Sequence, residues 1–468
     1  MGDRQLNNPL SGKDWAVLPD IVLIKVYTLL EDYDRAQMAR VCWNWHRMFN
    51  YPSLWRHRTI KFGSSSTDKT GHKAWKFAKL FAEYVRSLTL GFERPSFRTV
   101  KVVSKSAENF LFKLGNLNNL KIQYISIQYL NMEHYWHFIT SRNRIVKALA
   151  RFLKRQRHLL SMNLMAARLT LRDGCRILEA LGRGGAGRNL DIIYMEHMFQ
   201  TNILPFRYRR YINAMRKFTG LRFVHTTYNY TNNELLGIFS EQLGQNFLRM
   251  TIMIDTYVTT NKISTDEWKE FVKACPNVGV GVFICSPALR GNIYSVLVRD
   301  IPVDAIHVSI WKALTDQDPQ LIPNLLEHFA NTYHETLGVF QMDLDTNPSI
   351  DGFLLNFLKK CKRIRVFLFS GVISLATLEA IYKLQKEGVT ELRRLNVVVQ
   401  GLVPMQFDQL AHTREKMMSL IDRNAVIIEA KMDRSSTGEQ TPSPSTESIS
   451  SFDSDIENPS DDEAYEGL

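Results

Sequence analysis

Residues 159–164 read LLSMNL, with apolar residues at positions 159, 162 and 164. The alternation at the end of this stretch predicts a short β-strand with one buried face. The same spacing returns along most of the chain. It occurs at Val85-Leu88-Leu90, Ile122-Ile125-Ile127, Leu159-Met162-Leu164, Leu190-Ile193-Met195, Leu221-Val224-Thr226, Val303-Ile306-Val308, Leu337-Phe340-Met342, Ile364-Phe367-Phe369 and Leu392-Leu395-Val397. The spacing therefore predicts a strand that is repeated many times.

Helical stretches lie between these strands and commonly end in Gly or Cys before the next strand. Examples are DGCRILEALG at 173–182, NELLGIFSEQLG at 233–244, DEWKEFVKAC at 266–275 and TLEAIYKLQKEG at 377–388. The interval between units is 31 residues from Leu159 to Leu190 and 28 from Ile364 to Leu392. These intervals straddle the period of 20 to 29 residues that is typical of leucine-rich repeats.

The repeated unit predicts an α/β solenoid, because a single strand–turn–helix unit cannot bury its apolar face alone and must stack on a neighbour. Parallel strands would line the inside and helices the outside. A doubly wound α/β sheet also alternates strands and helices and is the rival interpretation. It does not require the fixed spacing inside each strand, so we favour the solenoid.

Composition and cysteine usage limit the class of protein. The chain has 468 residues, 45% of them hydrophobic, and only five scattered cysteines with no Cys-x-x-Cys pair. No window reaches the roughly 18 apolar residues of a membrane span. The first 15 residues lack the apolar region of a secretory signal. We expect a globular protein in the cytoplasm, the nucleus or both, with reduced thiols and no membrane partner.

Charge divides the chain into a basic body and an acidic tail. Residues 433–468 carry ten acidic residues and one basic residue, a charge of −9. The net charge of the whole chain is +12, so residues 1–432 carry +21. The tail is rich in Ser, Thr, Pro, Glu and Asp, and is predicted to be disordered. Its candidate phosphorylation sites are Thr441, Ser443, Ser454 and Ser460. A plain solvating tail is the alternative interpretation.

Residues 18–30, LPDIVLIKVYTLL, predict a helix that is apolar around most of its circumference. A surface helix needs only one apolar stripe, roughly 100° wide. The two short helical stretches that follow, from Asp34 and from Trp43, are too small to cover two faces. A module of about 40 residues is marginal unless it docks onto something else. The apolar surplus therefore predicts a protein partner, although a core helix of a larger domain would also be apolar all round.

The order of residues in this region resembles an F-box. The motif runs from Leu18-Pro19 through the apolar helix and Asp34 to Val41-Cys42-x-x-Trp45 and Pro52-Ser53-Leu54-Trp55. The resemblance implies that Leu18, Pro19, Val22, Leu23 and Val26 dock on the Skp adaptor of a cullin ubiquitin ligase. Trp45, Leu54 and Trp55 would support or extend that surface. Arg35 stands where the family favours Leu, so we expect the second helix to pack more loosely.

Together these observations predict a small all-α F-box followed by an irregular leucine-rich-repeat solenoid. The expected divisions are a flexible N-terminus at 1–14, the F-box at 15–60, a helical linker at 61–84, the solenoid at 85–432 and the tail at 433–468. The resemblance implies a non-catalytic receptor that binds a protein substrate and meets cullin and RING subunits through the adaptor. A repeat scaffold that does not direct degradation is the alternative.

No motif indicates catalysis, a metal or a cofactor. GRGGAG at 182–187 fits G-x-G-x-x-G, but it follows a predicted helix and precedes a strand, the reverse of a dinucleotide site. It is better interpreted as a helix end and a loop. His134 and His137 lack the further ligands of a tetrahedral metal site. We therefore expect neither an enzyme nor a metalloprotein.

Two basic stretches, at 142–158 and 206–217, mix Arg and Lys with aromatic residues. They could bind phosphates, in which case the affinity would depend strongly on salt. They could equally be solvated helix faces, or a basic surface for an acidic protein substrate. Because no nucleic-acid-binding module is recognisable, a nucleic-acid partner is the least favoured of these three interpretations.

Overall fold

The strands form one parallel sheet in which each strand pairs with its neighbours in the sequence. The computed structural model describes residues 15–63, 70–255, 262–344, 350–400, 402 and 406–431. Within these residues the strands are β1 (His57–Phe62), β2 (Ser87–Phe92), β3 (Tyr124–Gln128), β4 (Ser161–Asn163), β5 (Ile192–Tyr194), β6 (Phe223–Thr227), β7 (Arg249–Ile254), β8 (Gly279–Cys285), β9 (Val303–Ile310), β10 (Val339–Leu344), β11 (Val366–Ile373), β12 (Arg394–Gln400) and β13 (Val426–Lys431). The sheet order β1 to β13 is that of a solenoid.

The register explains the spacing seen in the sequence. Ile125 of β3 pairs with Met162 of β4, which pairs with Ile193 of β5, and Ile193 pairs with Val224 of β6. All four side chains are buried. Alternate residues of a strand point to opposite faces, so this row lies under the helices and the residues between lie on the open face. One apolar row thus runs through successive repeats.

Most helices of the solenoid stack beside a neighbour in the sequence, as α4 to α7 and α13 to α16 do, on one side of the sheet. A doubly wound sheet would place helices on both faces and reverse its strand order, so that interpretation is wrong. The helices are α1 (Asp20–Thr28), α2 (Asp32–Met38), α3 (Trp43–Phe49), α4 (Thr70–Phe81), α5 (Val100–Gly115), α6 (Ile139–Lys154), α7 (Leu171–Arg183), α8 (Ala186–Asn189), α9 (Arg209–Met215), α10 (Asn233–Gln242), α11 (Thr265–Ala274), α12 (Lys312–Gln317), α13 (Leu321–Thr332), α14 (Asp351–Lys360), α15 (Leu375–Lys386) and α16 (Gln406–Leu420). The fold is an α/β solenoid with strands inside and helices outside.

The sheet begins one strand earlier than predicted. β1 pairs with β2 from His57 to Phe62, within the residues assigned to the F-box and the linker. The spacing is weak there because a polar residue, Arg58, occupies its second position, where β2 has Leu88. β13 has Arg423 at the first position of the spacing, and two glycines interrupt β8. β7 follows the spacing through Phe247, Met250 and Ile252 and could have been recognised.

Several expectations concern residues beyond the described ranges. The flexible segment 1–14, the disordered tail 433–468 and the candidate phosphorylation sites Thr441, Ser443, Ser454 and Ser460 lie outside the described residues. The five cysteines are described and none forms a disulfide; Cys175, Cys275 and Cys361 are buried. In the part of the chain that the structure describes, no helix combines the length and the apolar character of a membrane span.

Candidate functional site

Helix α1 begins directly after Pro19 and carries apolar side chains around most of its circumference. Pro19 has an extended conformation, with φ −57° and ψ 142°, and Asp20 lies in the first helical turn. A carboxylate at this position interacts favourably with the positive end of the helix dipole. Pro19 and Asp20 therefore determine where the helix starts. The packing of its two faces then decides which apolar residues are buried and which are exposed.

The inner face of α1 is packed against α3. Leu23 and Tyr27 are fully buried. The Tyr27 hydroxyl donates a hydrogen bond to the Trp45 carbonyl at 2.9 Å, and the two rings meet edge to face with 6.3 Å between centroids. Burial raises the pKa of Tyr27 to about 12, so the hydroxyl keeps its proton and remains a donor at neutral pH. This face belongs to the core of the domain.

The outer face of α1, which we define as Ile21, Val22, Val26 and Leu29, is open. Ile21 is 78% exposed and Leu29 is 80% exposed, while Val22 is 41% exposed and Val26 is half-buried. Burying one such side chain contributes about 1.5 to 3 kcal/mol. The three most exposed residues, at 78%, 80% and 41%, together expose about two whole side chains, so covering them would contribute roughly 3 to 6 kcal/mol. No described part of the chain supplies that cover.

An exposed tryptophan extends this apolar surface. Trp43 is 76% exposed, and the Arg47 guanidinium lies 5.6 Å from the centroid of its ring. Arg47 also donates two hydrogen bonds to the Asp20 carboxylate, at 2.5 and 3.0 Å. Because Arg47 contacts both residues, Trp43 lies beside the start of α1. Val17, just before α1, is 73% exposed as well.

The residues predicted to dock on the adaptor fall into two groups. Pro19 and Val22 are exposed, and Leu18 and Val26 are half-buried. Four others are buried in the core: Leu23, Trp45, Leu54 and Trp55.

Leu23 therefore cannot form the docking surface, which corrects the expectation for that residue. It lies two residues from Ile21, about 200° around the helix, so one points inward when the other points outward. Trp45, Leu54 and Trp55 are core residues, and their support of a docking surface stays a prediction. The prediction omitted Ile21, Leu29 and Trp43, and the helical periodicity of α1 would have identified the first two as companions of Val22.

Arg35 does not loosen the second helix, contrary to expectation. Its Nε donates a hydrogen bond to the Tyr27 carbonyl at 2.8 Å, and its guanidinium lies 6.0 Å from the Trp55 ring centroid. A second bond reaches the Asp32 carboxylate at 3.3 Å. The bond to Tyr27 ties α2 to α1, and the Trp55 contact ties α2 to the 3-10 turn Pro52–Trp55, where a leucine would only have packed.

The three-helix domain is joined to the first repeat by a buried junction. Asp32 is 5% exposed and forms an ion pair with Arg58 of β1. The Arg58 guanidinium lies 4.4 Å from the Phe77 ring centroid, and the Trp55 ring stacks on Phe81 at 4.4 Å. The cores of the two parts are therefore continuous, and this junction sets the direction in which the outer face of α1 points.

The open face of the sheet carries aromatic and ionisable side chains in its middle repeats. The Tyr194 and His225 rings stack at 4.3 Å, and His307 Nε2 lies 2.5 Å from the Asp343 carboxylate. Burial raises the pKa of Glu196 to about 7. Burial and the nearby Arg249 lower the pKa of His225 to about 4. At neutral pH His225 is therefore uncharged and Glu196 is only partly ionised, so the two groups, 3.5 Å apart, do not form a strong ion pair.

The rejected motifs lie in ordinary structural positions. GRGGAG includes the end of α7, and Gly185 has φ +88° in the turn before α8, as expected for a glycine loop. His134 and His137 lie in the connection between β3 and α6. Over the described ranges, no group of three or more His, Cys, Asp and Glu residues could hold a metal ion.

The two basic stretches differ in how their charges are balanced. In the second, Arg210 forms two hydrogen bonds with Glu179, at 2.7 and 2.8 Å. Arg209 pairs with Glu234, and Arg216 lies 3.7 Å from the same carboxylate. The first stretch forms much of α6, and its Arg144 pairs with Glu108 at 3.1 Å. The arginines of the second stretch thus join neighbouring repeats, whereas most of the first stretch remains available.

The domain and the solenoid define the class of protein. Residues 15–61 match the family model described as F-box-like. The chain therefore has an N-terminal F-box-like domain followed by an α/β solenoid.

Curated relatives combine the same two parts. F-box/LRR-repeat protein 21 of Bos taurus is 22% identical over 280 residues, which is 58% of this chain and 59% of the relative. The Mus musculus protein of the same name is 28% identical over 116 residues, 24% of this chain and 25% of the relative. The chain thus aligns with at most 59% of the length of these two relatives.

The solved structures that match include a crystal structure from Anabaena variabilis described as a sugar phosphate isomerase/epimerase. It is 12% identical and covers 77% of this chain and 98% of its own, with a TM-score of 0.14. At that score the match carries no argument about fold or function.

Proposed function

We propose that this protein is the substrate-recognition subunit of a Skp-cullin-F-box ubiquitin ligase. The observation that carries the proposal is the outer face of α1, with Ile21 78% exposed and Leu29 80% exposed inside a domain that matches the F-box-like model. F-box domains generally bind Skp adaptors. A Skp adaptor would supply the apolar cover that the described chain lacks.

The buried junction supports a receptor role for the solenoid. An adaptor held on α1 has a defined direction relative to the strands, because Arg58 and Trp55 join the domain to the first repeat. A protein substrate held by the solenoid would therefore lie at a defined position relative to the cullin and RING subunits. The receptor would contribute proximity, while the ubiquitin-transfer chemistry would occur on other subunits.

Finer parts of the proposal rest on the sequence. ISIQYL at 125–130, ARLTLRDGCRIL at 167–178 and LWRHRTIKF at 54–62 resemble F-box only protein 39. A cytoplasmic or nuclear location and the absence of a reaction of its own are also proposed.

The experiment separates a receptor from a scaffold. Wild type and an Ile21→Asp, Val22→Asp variant would each carry a proximity-labelling enzyme in cells, and the labelled proteins would be quantified together with their half-lives. A receptor should lose adaptor and cullin labelling in the variant, and its labelled substrates should live longer. Undiminished adaptor and cullin labelling by a folded variant would reject docking through α1. Lost labelling with unchanged half-lives would indicate the scaffold instead.

A further inference from the structure

The charge of the solenoid is concentrated near its N-terminal end. Residues 70–158 contain 17 Lys and Arg residues against four acidic residues, whereas residues 321–431 contain 13 against 12. Self-repulsion between like charges disfavours such a concentration unless solvent or a partner compensates. The first three helices of the solenoid, α4 to α6, lie in this range.

These helices lie side by side. Arg144 of α6 is 3.1 Å from the Glu108 carboxylate of α5, and Lys113 Nζ of α5 is 5.5 Å from the Trp75 ring centroid of α4. Their outward cations therefore share one surface. We name this surface the basic face and define it as Lys76, Lys79, Lys105, Lys147, Arg151 and Lys154.

The basic face is exposed and uncompensated. All six side chains are exposed, and none has a carboxylate within 4.0 Å among the residues that the structure describes. By contrast, the arginines of α9 pair with Glu179 and Glu234 of neighbouring helices. The arginines of α9 that join neighbouring repeats have carboxylate partners. The six cations of the basic face have none among the described residues, so this face can accept an acidic segment from outside the described residues.

Apolar side chains lie among these cations. Phe112 of α5 is 62% exposed, Leu80 of α4 is 59% exposed and Val102 of α5 is 39% exposed. Apolar side chains add no stability to a lysine face that contacts only water, because they remain hydrated there. A matching ligand would alternate acidic and apolar residues.

We propose that residues 447–466 of the same chain bind the basic face. This segment, ESISSFDSDIENPSDDEAYE, contains eight acidic residues and no basic residue, with Ile449, Phe452, Ile456 and Tyr465 among them. Its charge and its apolar residues complement the two features of the basic face. The inference is independent of adaptor binding by α1.

The segment can reach the basic face within one chain. From β13 to β3 the sheet order has ten steps, about 48 Å at roughly 4.8 Å per step, and the helix layer adds about 10 Å. The 21 residues from Lys431 to Phe452 can span up to about 70 Å when extended. The connecting residues are therefore long enough for the segment to bind the basic face of its own chain.

Binding of this kind would be sensitive to salt and to phosphorylation. Exposed charges are screened over about 10 Å at 0.1 M salt, so raising the ionic strength should release the segment. Phosphate on Ser454 or Ser460 would add negative charge and strengthen the contact. The bound segment would also exclude other acidic partners from α4 to α6.

The test is zero-length carbodiimide cross-linking of the full chain, read by mass spectrometry, because this reagent joins only carboxylates and amines in contact. At 50 mM salt we expect cross-links from residues 447–466 to Lys76, Lys79 and Lys154, and at least a fivefold loss at 500 mM. An equal mixture of unlabelled and nitrogen-15-labelled chains separates cis from trans. Cross-links that join only different copies would overturn the proposal and assign the face to a second copy's tail.

A matched pair of variants controls for net charge. Lys105→Glu with Lys147→Glu should reduce the remaining cross-links at least fivefold, whereas Lys383→Glu with Lys386→Glu, exposed on α15, should leave them unchanged. Both variants change the charge equally, and their melting curves check folding. Equal loss in the two variants, or equal cross-linking of the tail to Lys383 and Lys386 in the wild type, would reject the proposal.

Discussion

Helix α1 of the F-box-like domain and helix α7 of the solenoid differ in how far their apolar residues are buried. In α7, Cys175, Ile177, Leu178 and Leu181 are fully buried, and its exposed residues include Arg172 and Arg183. In α1, Leu23 and Tyr27 are equally buried, yet Ile21 is 78% exposed. The apolar residues of α7 are buried against neighbouring elements of the same chain, whereas part of the apolar surface of α1 remains exposed.

The difference follows from stacking. A helix inside a repeat array has a neighbour on each side, so a single apolar stripe suffices and polar residues can face the solvent. Among the described residues, helix α1 lies at one end of the sheet and packs mainly against α3 and the 3-10 turn Pro52–Trp55, with one further hydrogen bond from Arg35 of α2. An apolar outer face is costly for solubility unless another protein covers it. The contrast therefore supports the proposal that α1 is the interaction element of the N-terminal domain.

The largest effect is expected where the two regions join. Trp55→Ala removes a 2% exposed side chain that stacks on Phe81, and should lower the free energy of unfolding by about 3 to 5 kcal/mol. Urea unfolding followed by tryptophan fluorescence and circular dichroism would measure it. Because the junction couples both cores, the domain and the solenoid should lose stability together. A loss below about 1 kcal/mol would show that the junction is not part of the core.

The inner face of α1 should behave like a solenoid helix. Leu23→Ala leaves a cavity at a fully buried position and should cost about 2 to 5 kcal/mol of unfolding free energy. Leu178→Ala in α7 is the matched comparison, since that leucine is also fully buried. Denaturant midpoints of the two variants should fall by similar amounts. A Leu23→Ala variant as stable as wild type would mean that the inner face is not packed as described.

The solenoid buries a carboxylate oxygen that has no hydrogen-bond partner in the described part of the chain, whereas α1 exposes apolar groups. Glu196 is 6% exposed, and its Oε2 has no hydrogen-bond partner in the described part of the chain. Because burial raises its pKa from 4.5 to about 7, its contribution to stability is full below pH 4.5 and is lost as pH rises through 7. Glu196→Gln should therefore gain up to about 3 kcal/mol relative to wild type between pH 4.5 and pH 8.

Thermal or urea unfolding of both proteins across this range would measure that gain. His225, whose pKa is lowered to about 4, gives a slope of opposite sign, since its stability is lost as pH falls from 6.5 through 4. It is present in wild type and variant alike, so the remaining pH dependence of the difference reports Glu196 together with its coupling to His225 across their 3.5 Å contact. A difference that does not change with pH would mean that Glu196 is not buried as a carboxyl group.

The smallest effect on stability is expected on the outer face of α1. Ile21→Ala and Leu29→Ala remove side chains that are already 78% and 80% exposed. Each should change the free energy of unfolding of the isolated protein by no more than about 0.5 kcal/mol. The same urea titration checks this. A cost near that of Leu23→Ala would show that the face is covered by the chain itself.

The sequence predicted the repeat better than it predicted the surface. Leu88, Ile125 and Met162 take the buried row because the spacing inside each strand is set by backbone geometry, which is local. Strands β1 and β13 were missed because a polar residue, Arg58 in β1 and Arg423 in β13, occupies one apolar position of the spacing. The burial of Leu23 and Trp55 depends on which elements pack together, and residue type alone does not reveal it.

The resemblance to an F-box identified the element and not its orientation. Both Leu23 and Val22 are apolar, and only the packing of α3 against α1 shows that one is core and the other surface. The consequences of Arg35 were also invisible, because its bond to the Tyr27 carbonyl joins residues of different helices. Helical periodicity, applied to α1 once its partner helix was known, would have recovered Ile21 and Leu29.

The most direct test is the dissociation constant of the Skp adaptor, measured by titration calorimetry against three full-length proteins. The control variant, Phe353→Asp with Leu420→Asp, changes two apolar residues that are 47% and 41% exposed outside the F-box-like domain. At about 1.5 to 3 kcal/mol for each side chain covered, Ile21→Asp with Val22→Asp should raise Kd by at least about 100-fold, and the control should match wild type. A folded α1 variant that binds within about threefold of wild type would contradict the account.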